Sequence, residues 1–441
     1  MASVKQEYIS LPLRLKTSDG VIGRLQNIYF ISSCVITTVA KYYWYGPVVK
    51  AWDLRFHVIT NILHRYLSES LPHDTPNKLS EKIDFAYIAD YIDMNNLPAR
   101  PLSPSIGHNE EYDIIVDAEL CTAYELPQYG ISGDKLNAMA DDDRISAQKG
   151  QPRTISCQVV VGSQVSLCNS CKVPAGMHKQ PKLMVPEPLY PDERIFFHFH
   201  GGAYCVGERS LTHIYVYAHT SSVSGLRVFS PNYRLAPRSC FPSQLHDCFL
   251  SYMDILRRGF KPENIILSGD SAGGALAVAL LIILRDMHLP RPAGVVLISP
   301  WVDSTCSGAS WATKMSLDYL PSFPLEDPFH PTRMFYAAGR RFSQEMLEEL
   351  RCPLVSPIFG DLSNMPPMLI QMGRNELLHD DISEFAEKTK LHAENVVKLE
   401  AYDNMPHAFV LLDFTDAAQQ AFASVNNFAR EVFDGEKRMY N

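Results

Sequence analysis

A chain of 441 residues, 46% hydrophobic and 20% charged, has room for one large elaborated domain or for two domains. Its net charge of −9 argues against a nucleic-acid partner on electrostatic grounds. Ten cysteines in this length are too dilute for a disulfide scaffold and read as reduced, buried small hydrophobes of an intracellular protein.

The first segment, MASVKQEYIS, lacks the basic-then-apolar order of a secretory signal. A cytoplasmic location is therefore expected, with the periphery of the endoplasmic reticulum membrane left open as a second site. The run NIYFISSCVITTVA, Asn27 to Ala40, is broken by Ser and Thr and falls short of the ~20 apolar residues a span needs. It reads as a buried or surface-docked helix, with weak peripheral membrane contact as the alternative. Tyr42 to Leu67 carries apolar residues at Trp52, Leu54, Val58, Ile59, Ile62, Leu63 and Leu67, steps of three and four that predict an amphipathic helix. A polar, proline-bearing stretch follows from Ser68 to about Ser105, and the Asp- and Gly-containing stretch from Gly130 to Gly150 reads as loop.

From Thr154 the texture changes. SCQVVVG, RIFFHFH, LRVFSPNY, NIILSGD, AGVVLISP, PMLIQMG and VVKLEAYD are strand candidates, several of them continuous apolar runs. Longer segments such as SAGGALAVALLIILRDM lie between them and suit crossover helices. The alternation predicts an α/β fold with an open, mainly parallel sheet, whose functional residues collect at the carboxyl ends of its strands. The pair Cys168 and Cys171 has C-x-x-C spacing, but no second pair or histidine at ligand spacing accompanies it, so no metal is expected.

At one strand end NIILSGD runs into SAGGALAVALLIIL through Gly269-Asp270-Ser271-Ala272-Gly273, a G-x-S-x-G pattern in strand–turn–helix context. Such an elbow presents its serine on a sharp turn, and the helix N-terminus offers N–H groups to a developing oxyanion. His200-Gly201-Gly202-Ala203 ends an earlier strand, where flexible backbone can aim a second set of N–H donors. His200 is read as holding that loop, and His198, two residues earlier on the strand, as a core-satisfied histidine. Serine needs a base and the base an orienting acid, in the chain order Ser, acid, His. His407, in MPHAF after the last strand candidate, is the expected base. Glu376 is the favoured acid because it lies in the first turn after PMLIQMG; Asp380 and Asp381 fall a turn later, and Asp303 in LISPWVD is the other candidate. His246 and Asp247 adjoin at a helix start, which gives them different faces and argues against a dyad.

These residues together resemble the hormone-sensitive-lipase-like, or fold-3, family of α/β-hydrolases. HGGAY, PNYRLAPRSCFPSQLHD, GDSAGG, SPWVD, the acidic run from Glu376 and PHAF follow in family order over about half the chain. The resemblance implies a triad of Ser271, Glu376 and His407. It implies an oxyanion hole from the loop Gly201, Gly202 and Ala203 with Ala272, in which Gly202, Ala203 and Ala272 donate and Gly201 shapes the loop. It makes Asp303 structural. It also implies a cap over the site, dividing the chain into an N-terminal helical region that contributes to the cap (1–150), core (151–303), aromatic-rich cap insertion (304–352) and core again (353–441).

Ala203 stands where a third glycine is frequent, Glu376 where Asp is usual, and Arg238 where Glu is usual. The N-terminal region resembles that of fungal members, some of which act on acetylated sterols or secondary metabolites. The implied function is a cofactor-free serine carboxylesterase or deacetylase acting on a small to medium apolar ester. An acyltransferase or cyclase with the same triad and a non-catalytic binding protein on the same fold are the rivals. The oligomeric state is not legible.

Overall fold

The computed structural model describes residues 21–69, 106–123, 126, 129–162, 185–207 and 211–435. Most of the polar stretch from Ser68 and the Cys168/Cys171 pair lie outside the described residues.

Eight strands form one sheet: β1 (Ile106–Val116), β2 (Arg153–Gly162), β3 (Ile195–Phe199), β4 (Arg227–Pro231), β5 (Ile265–Asp270), β6 (Gly294–Ile298), β7 (Met368–Gly373) and β8 (Val397–Tyr402). Their spatial order is β1-β2-β4-β3-β5-β6-β7-β8. β2 runs antiparallel to β1 and β4, and every pairing from β4 to β8 is parallel. The expected mainly parallel sheet is therefore present. β3 and β5 are buried along their whole length, which is why IFFHF and IILSGD read as unbroken apolar runs rather than alternating ones.

The helices follow the same logic. In chain order they are α1 (Val21–Tyr45), α2 (Leu54–Glu69), α3 (Ile131–Gln148), α4 (Leu211–Ser224), α5 (Ser243–Arg257), α6 (Ala272–Asp286), α7 (Ser310–Thr313), α8 (Pro331–Ala337), α9 (Gln344–Glu349), α10 (His379–Lys390) and α11 (Asp416–Asp434). α6 is buried on nearly all sides, from Ala272 to Leu284, as an all-apolar helix must be. α11 instead buries one stripe, Ala418, Ala421, Phe422, Val425, Phe428 and Ala429, in steps of three and four; Thr415 caps its start by accepting the Ala418 N–H.

Three expectations are corrected. Gly130 to Gly150 is not a loop: Gly130 and Gly150 sit at its two ends, with φ of 53° and 75°, and α3 between them buries Leu136 and Ala140, four apart. Its run of three aspartates suggested solvent, but Asp143 is buried against Arg153 and His246. Tyr42 to Leu67 is two helices, because Gly46-Pro47 ends α1 and α2 begins only at Leu54. The N-terminal region (1–150) is not all helical, since β1 pairs along nearly all of β2 and extends the sheet into it. Charged residues in IGHNEEYDIIV hide that strand's pattern.

The N-terminal helices sit on the core through a small cluster of Val49, Trp52, Phe56 and Leu412. Trp52 Nε1 donates to the Asn404 carbonyl at 2.6 Å. Among the described residues no helix is long and apolar enough to cross a membrane. The insertion after β6 is tied down by Asp380 and Asp381 at the start of α10, which accept from Ser310 N–H and Trp311 Nε1.

Candidate active site

Ser271 joins β5 to α6 at φ 51°, ψ −120°, a left-handed position that non-glycine residues avoid. The turn is this tight because its neighbours lack side chains: a Cβ at Gly273 would overlap the carbonyl oxygens of Phe199, the last residue of β3, and of His200 just past it. The Gly-x-Ser-x-Gly pattern is thus a packing requirement, and it seats Ser271 at the N-terminus of a fifteen-residue helix.

The turn after β6 joins the three strand ends. Ile298 accepts the Ser271 N–H at 2.9 Å, and Trp301 returns an N–H to the Ser271 carbonyl at 2.9 Å. Between them Ser299, itself at φ 45°, donates from Oγ to Glu376 Oε2 at 2.6 Å and accepts the Ala408 N–H at 3.0 Å. Glu376 stands just past β7 and His407 just past β8, both almost fully buried. His407 Nδ1 is 3.8 Å from Glu376 Oε2, longer than a hydrogen bond. His407 Nδ1 and Glu376 Oε1 have no partner among the described residues.

Burial pushes the His407 imidazole down to about 4, opposed by the charge of Asp270. Burial pushes Glu376 well above the carboxylate range; the Ser299 bond opposes this and the nearby Asp318 charge reinforces it. The imidazole is therefore neutral at pH 7, the form in which a general base can accept a proton.

The loop after β3 is fixed from below by Asp270. Its Oδ1 accepts from the Gly201 N–H at 2.9 Å and faces His198 Nε2 at 3.1 Å, while Oδ2 is 3.4 Å from His213 Nε2. Burial alone would raise Asp270; His213 and His198 overcome it and hold the carboxyl well below its usual range. A Cβ at Gly201 would run into this carboxylate. With its N–H committed to Asp270, Gly201 shapes the loop and donates nothing to the site. The N–H groups of Gly202, Ala203 and Ala272, by contrast, have no protein acceptor among the described residues.

His200 Nδ1 meets the Gly201 carbonyl at 2.7 Å, and its ring stacks on Tyr233 at 4.2 Å, whose hydroxyl donates to the His200 carbonyl. His198 is satisfied by Ser268 and Asp270. Tyr204, next in the loop, stacks at 3.7 Å on Phe335 of α8 and so joins loop to insertion.

The other candidates lie elsewhere. Asp303 accepts from Thr305 and Ser307 within its own turn, a structural role. His246 pairs with Asp143, and Asp247 with Arg153 and Arg234, so the two adjacent residues form no dyad. No group of three or more His, Cys, Asp or Glu among the described residues could hold a metal ion. Sequence reading missed Ser299, Asp270 and Asp318. The first two stand inside motifs whose strand ends were already suspect, while Asp318 lies in an irregular aromatic run with no spacing signal.

A family profile described as alpha/beta hydrolase fold matches residues 196–411. An acetyl-hydrolase of Streptomyces hygroscopicus is 36% identical over 224 residues, 50% of this chain and 70% of the relative. An esterase of Acinetobacter venetianus is 32% identical over 240 residues, 54% of this chain and 75% of the relative. Among solved structures, an esterase/lipase from an uncultured bacterium superposes with a TM-score of 0.51 at 28% identity, over 64% of this chain and 82% of that one. A hormone-sensitive-lipase homologue from a metagenome library gives a TM-score of 0.51 at 28% identity, over 63% and 83%.

Proposed function

Because the chain belongs to the hormone-sensitive-lipase-like family of α/β-hydrolases, we propose that it is a serine carboxylester hydrolase working through an acyl-enzyme on Ser271. Ser271 Oγ attacks the ester carbonyl carbon while His407 takes the hydroxyl proton. The N–H groups of Gly202, Ala203 and Ala272 hold the resulting oxyanion. The carbon–oxygen bond to the alcohol breaks, and His407 returns the proton to the departing alkoxide. Water, deprotonated by His407, then attacks the acyl-enzyme and releases the acid. Glu376 orients the imidazole and meets its positive charge.

One observation carries this reading: the Ile298–Trp301 turn bonds to Ser271 on one side and, through Ser299, to Glu376 and to the backbone beside His407 on the other. A turn built this way serves to hold a nucleophile, an acid and a base together. The substrate proposed is a small to medium apolar ester, in keeping with the aromatic insertion that carries Tyr319, Phe329 and Phe335.

The test is hydrolysis of p-nitrophenyl esters from acetate to decanoate by wild type and Ser271→Ala. Turnover of short chains, lost by roughly a thousandfold or more in the variant, is expected. Equal inactivity of two folded proteins would overturn the reading. Product analysis with added methanol separates hydrolysis from acyl transfer.

We also propose peripheral contact with a lipid surface through the end of α1. Tyr43, Trp44, Tyr45 and Val48 are exposed there, as are Tyr29 and Ile36 on the same helix. From Val21 to Trp52 the sequence has no Asp or Glu but has Arg24, Lys41 and Lys50, in a chain of net charge −9. Tyr and Trp beside cations suit a headgroup layer.

A further inference from the structure

One carboxylate outside the triad reaches both arms of the site. Asp318 lies in the irregular run between α7 and α8 and is 7% exposed. Its Oδ1 accepts the His407 N–H at 3.2 Å and the Tyr319 N–H at 2.7 Å, and its Oδ2 accepts the N–H of Leu377, the residue after Glu376, at 2.7 Å. The Leu320 N–H approaches Oδ1 at 3.4 Å. The Tyr319 ring lies 6.4 Å from the His407 ring, edge to face, and the Tyr319 carbonyl meets His64 Nδ1 of α2 at 3.1 Å. The insertion thus grips base loop and acid loop with one side chain, and α2 grips the insertion next to it.

We propose that Asp318 is a positioning residue: by bonding the backbones of His407 and Leu377 at once, it fixes the separation of base from acid. The inference rests on the hydrolase reading above. The chemistry asks for a carboxylate. Four N–H groups converge, and only an acceptor with two free oxygens meets them; an amide would turn its own N–H₂ toward one donor. The arrangement also explains why the His407–Glu376 gap can stay open at 3.8 Å without collapse: each loop is held by its backbone rather than by the pair itself.

The grip depends on charge. Burial raises Asp318 to about 6, against the pull of its N–H donors. The groups facing it are Glu376, His407, Tyr319, the half-buried Lys314 at the end of α7 and, through the Tyr319 carbonyl, His64. Protonation places an O–H against a backbone N–H and releases one loop. Activity then falls as pH drops through this step, above the titration of His407 itself.

The experiment compares wild type, Asp318→Asn and Asp318→Ala. It measures p-nitrophenyl acetate kinetics and the rate at which a fluorophosphonate labels Ser271, from about pH 4.5 to about pH 8. Asp318→Asn should lose about 10- to 100-fold in kcat and in labelling rate, with KM changed less than about threefold. Its profile should lack the step near pH 6. A folded Asn variant with wild-type kcat, labelling rate and pH step would overturn the proposal. Should both variants misfold, the wild-type labelling profile decides: a rate flat through the step overturns it. No labelling of wild type at Ser271 at any pH is a different pattern, and it would remove the hydrolase reading on which the inference stands.

Discussion

Ser299 Oγ donates to Glu376 Oε2 at 2.6 Å while accepting the N–H of Ala408, the residue after the proposed base. One hydroxyl therefore uses its donor on the acid and its acceptor lone pair on the backbone beside His407. Ser299→Ala should leave a buried N–H unpaired and Glu376 Oε2 with only the Gly373 N–H, which donates to it at 3.3 Å. A stability loss of about 1–3 kcal/mol by urea unfolding is expected. A fall of about tenfold in kcat should accompany it, since misplacement near 1 Å can reach about a hundredfold. Unchanged values in both would show that Glu376 is held by other means.

Ser271 carries backbone strain at the position proposed for the nucleophile. Ser271→Gly should unfold later than wild type, by about 1 kcal/mol, because glycine adopts φ 51° freely. Ser271→Ala keeps the side chain's backbone penalty and should match wild type. Both should be unlabelled by fluorophosphonate. Thermal midpoints of the three proteins, read side by side, check this.

Asp270 should matter most at neutral pH. Its folded pKa is held far below the unfolded value near 3.8, so its stabilisation is fully present above that value and is lost as pH falls below it. Asp270→Asn should therefore be less stable than wild type by about 2–4 kcal/mol at pH 7. The difference should shrink at pH values below about 4. A pH-independent difference would place the effect in packing rather than charge.

Replacing Tyr43, Trp44 and Tyr45 together by Ser should reduce co-sedimentation with phosphatidylcholine–phosphatidylserine vesicles and leave hydrolysis of a soluble acetate ester unchanged. Wild type that stays in the supernatant at low salt would rule out the lipid contact.

Much of the candidate site's layout was legible because it is local. Ser271 is announced by glycines that the turn cannot do without, and His407 and Glu376 each sit within a few residues of a strand whose apolar run is unmistakable. The sheet from β2 to β8 was legible for the same reason. What escaped is what only assembly creates. β1 hides because Glu110, Glu111 and Asp113 interrupt its apolar residues on both faces, and α3 hides because Asp143 looks solvated until Arg153 and His246 arrive from elsewhere. Asp318 is one acid among many in an aperiodic segment. Its importance comes from two N–H groups that lie 59 and 89 residues away.

Trp52 hydrogen-bonds the Asn404 carbonyl, three residues ahead of His407. The front of the chain is thereby wired to the loop of the proposed base rather than resting on the core as a detachable ornament. A chimaera that borrows residues 21–69 from a homologue inherits this constraint: it must bring an indole to the same spot, or retune the histidine loop. Grafting a new front to change specificity is then a two-site problem from the start.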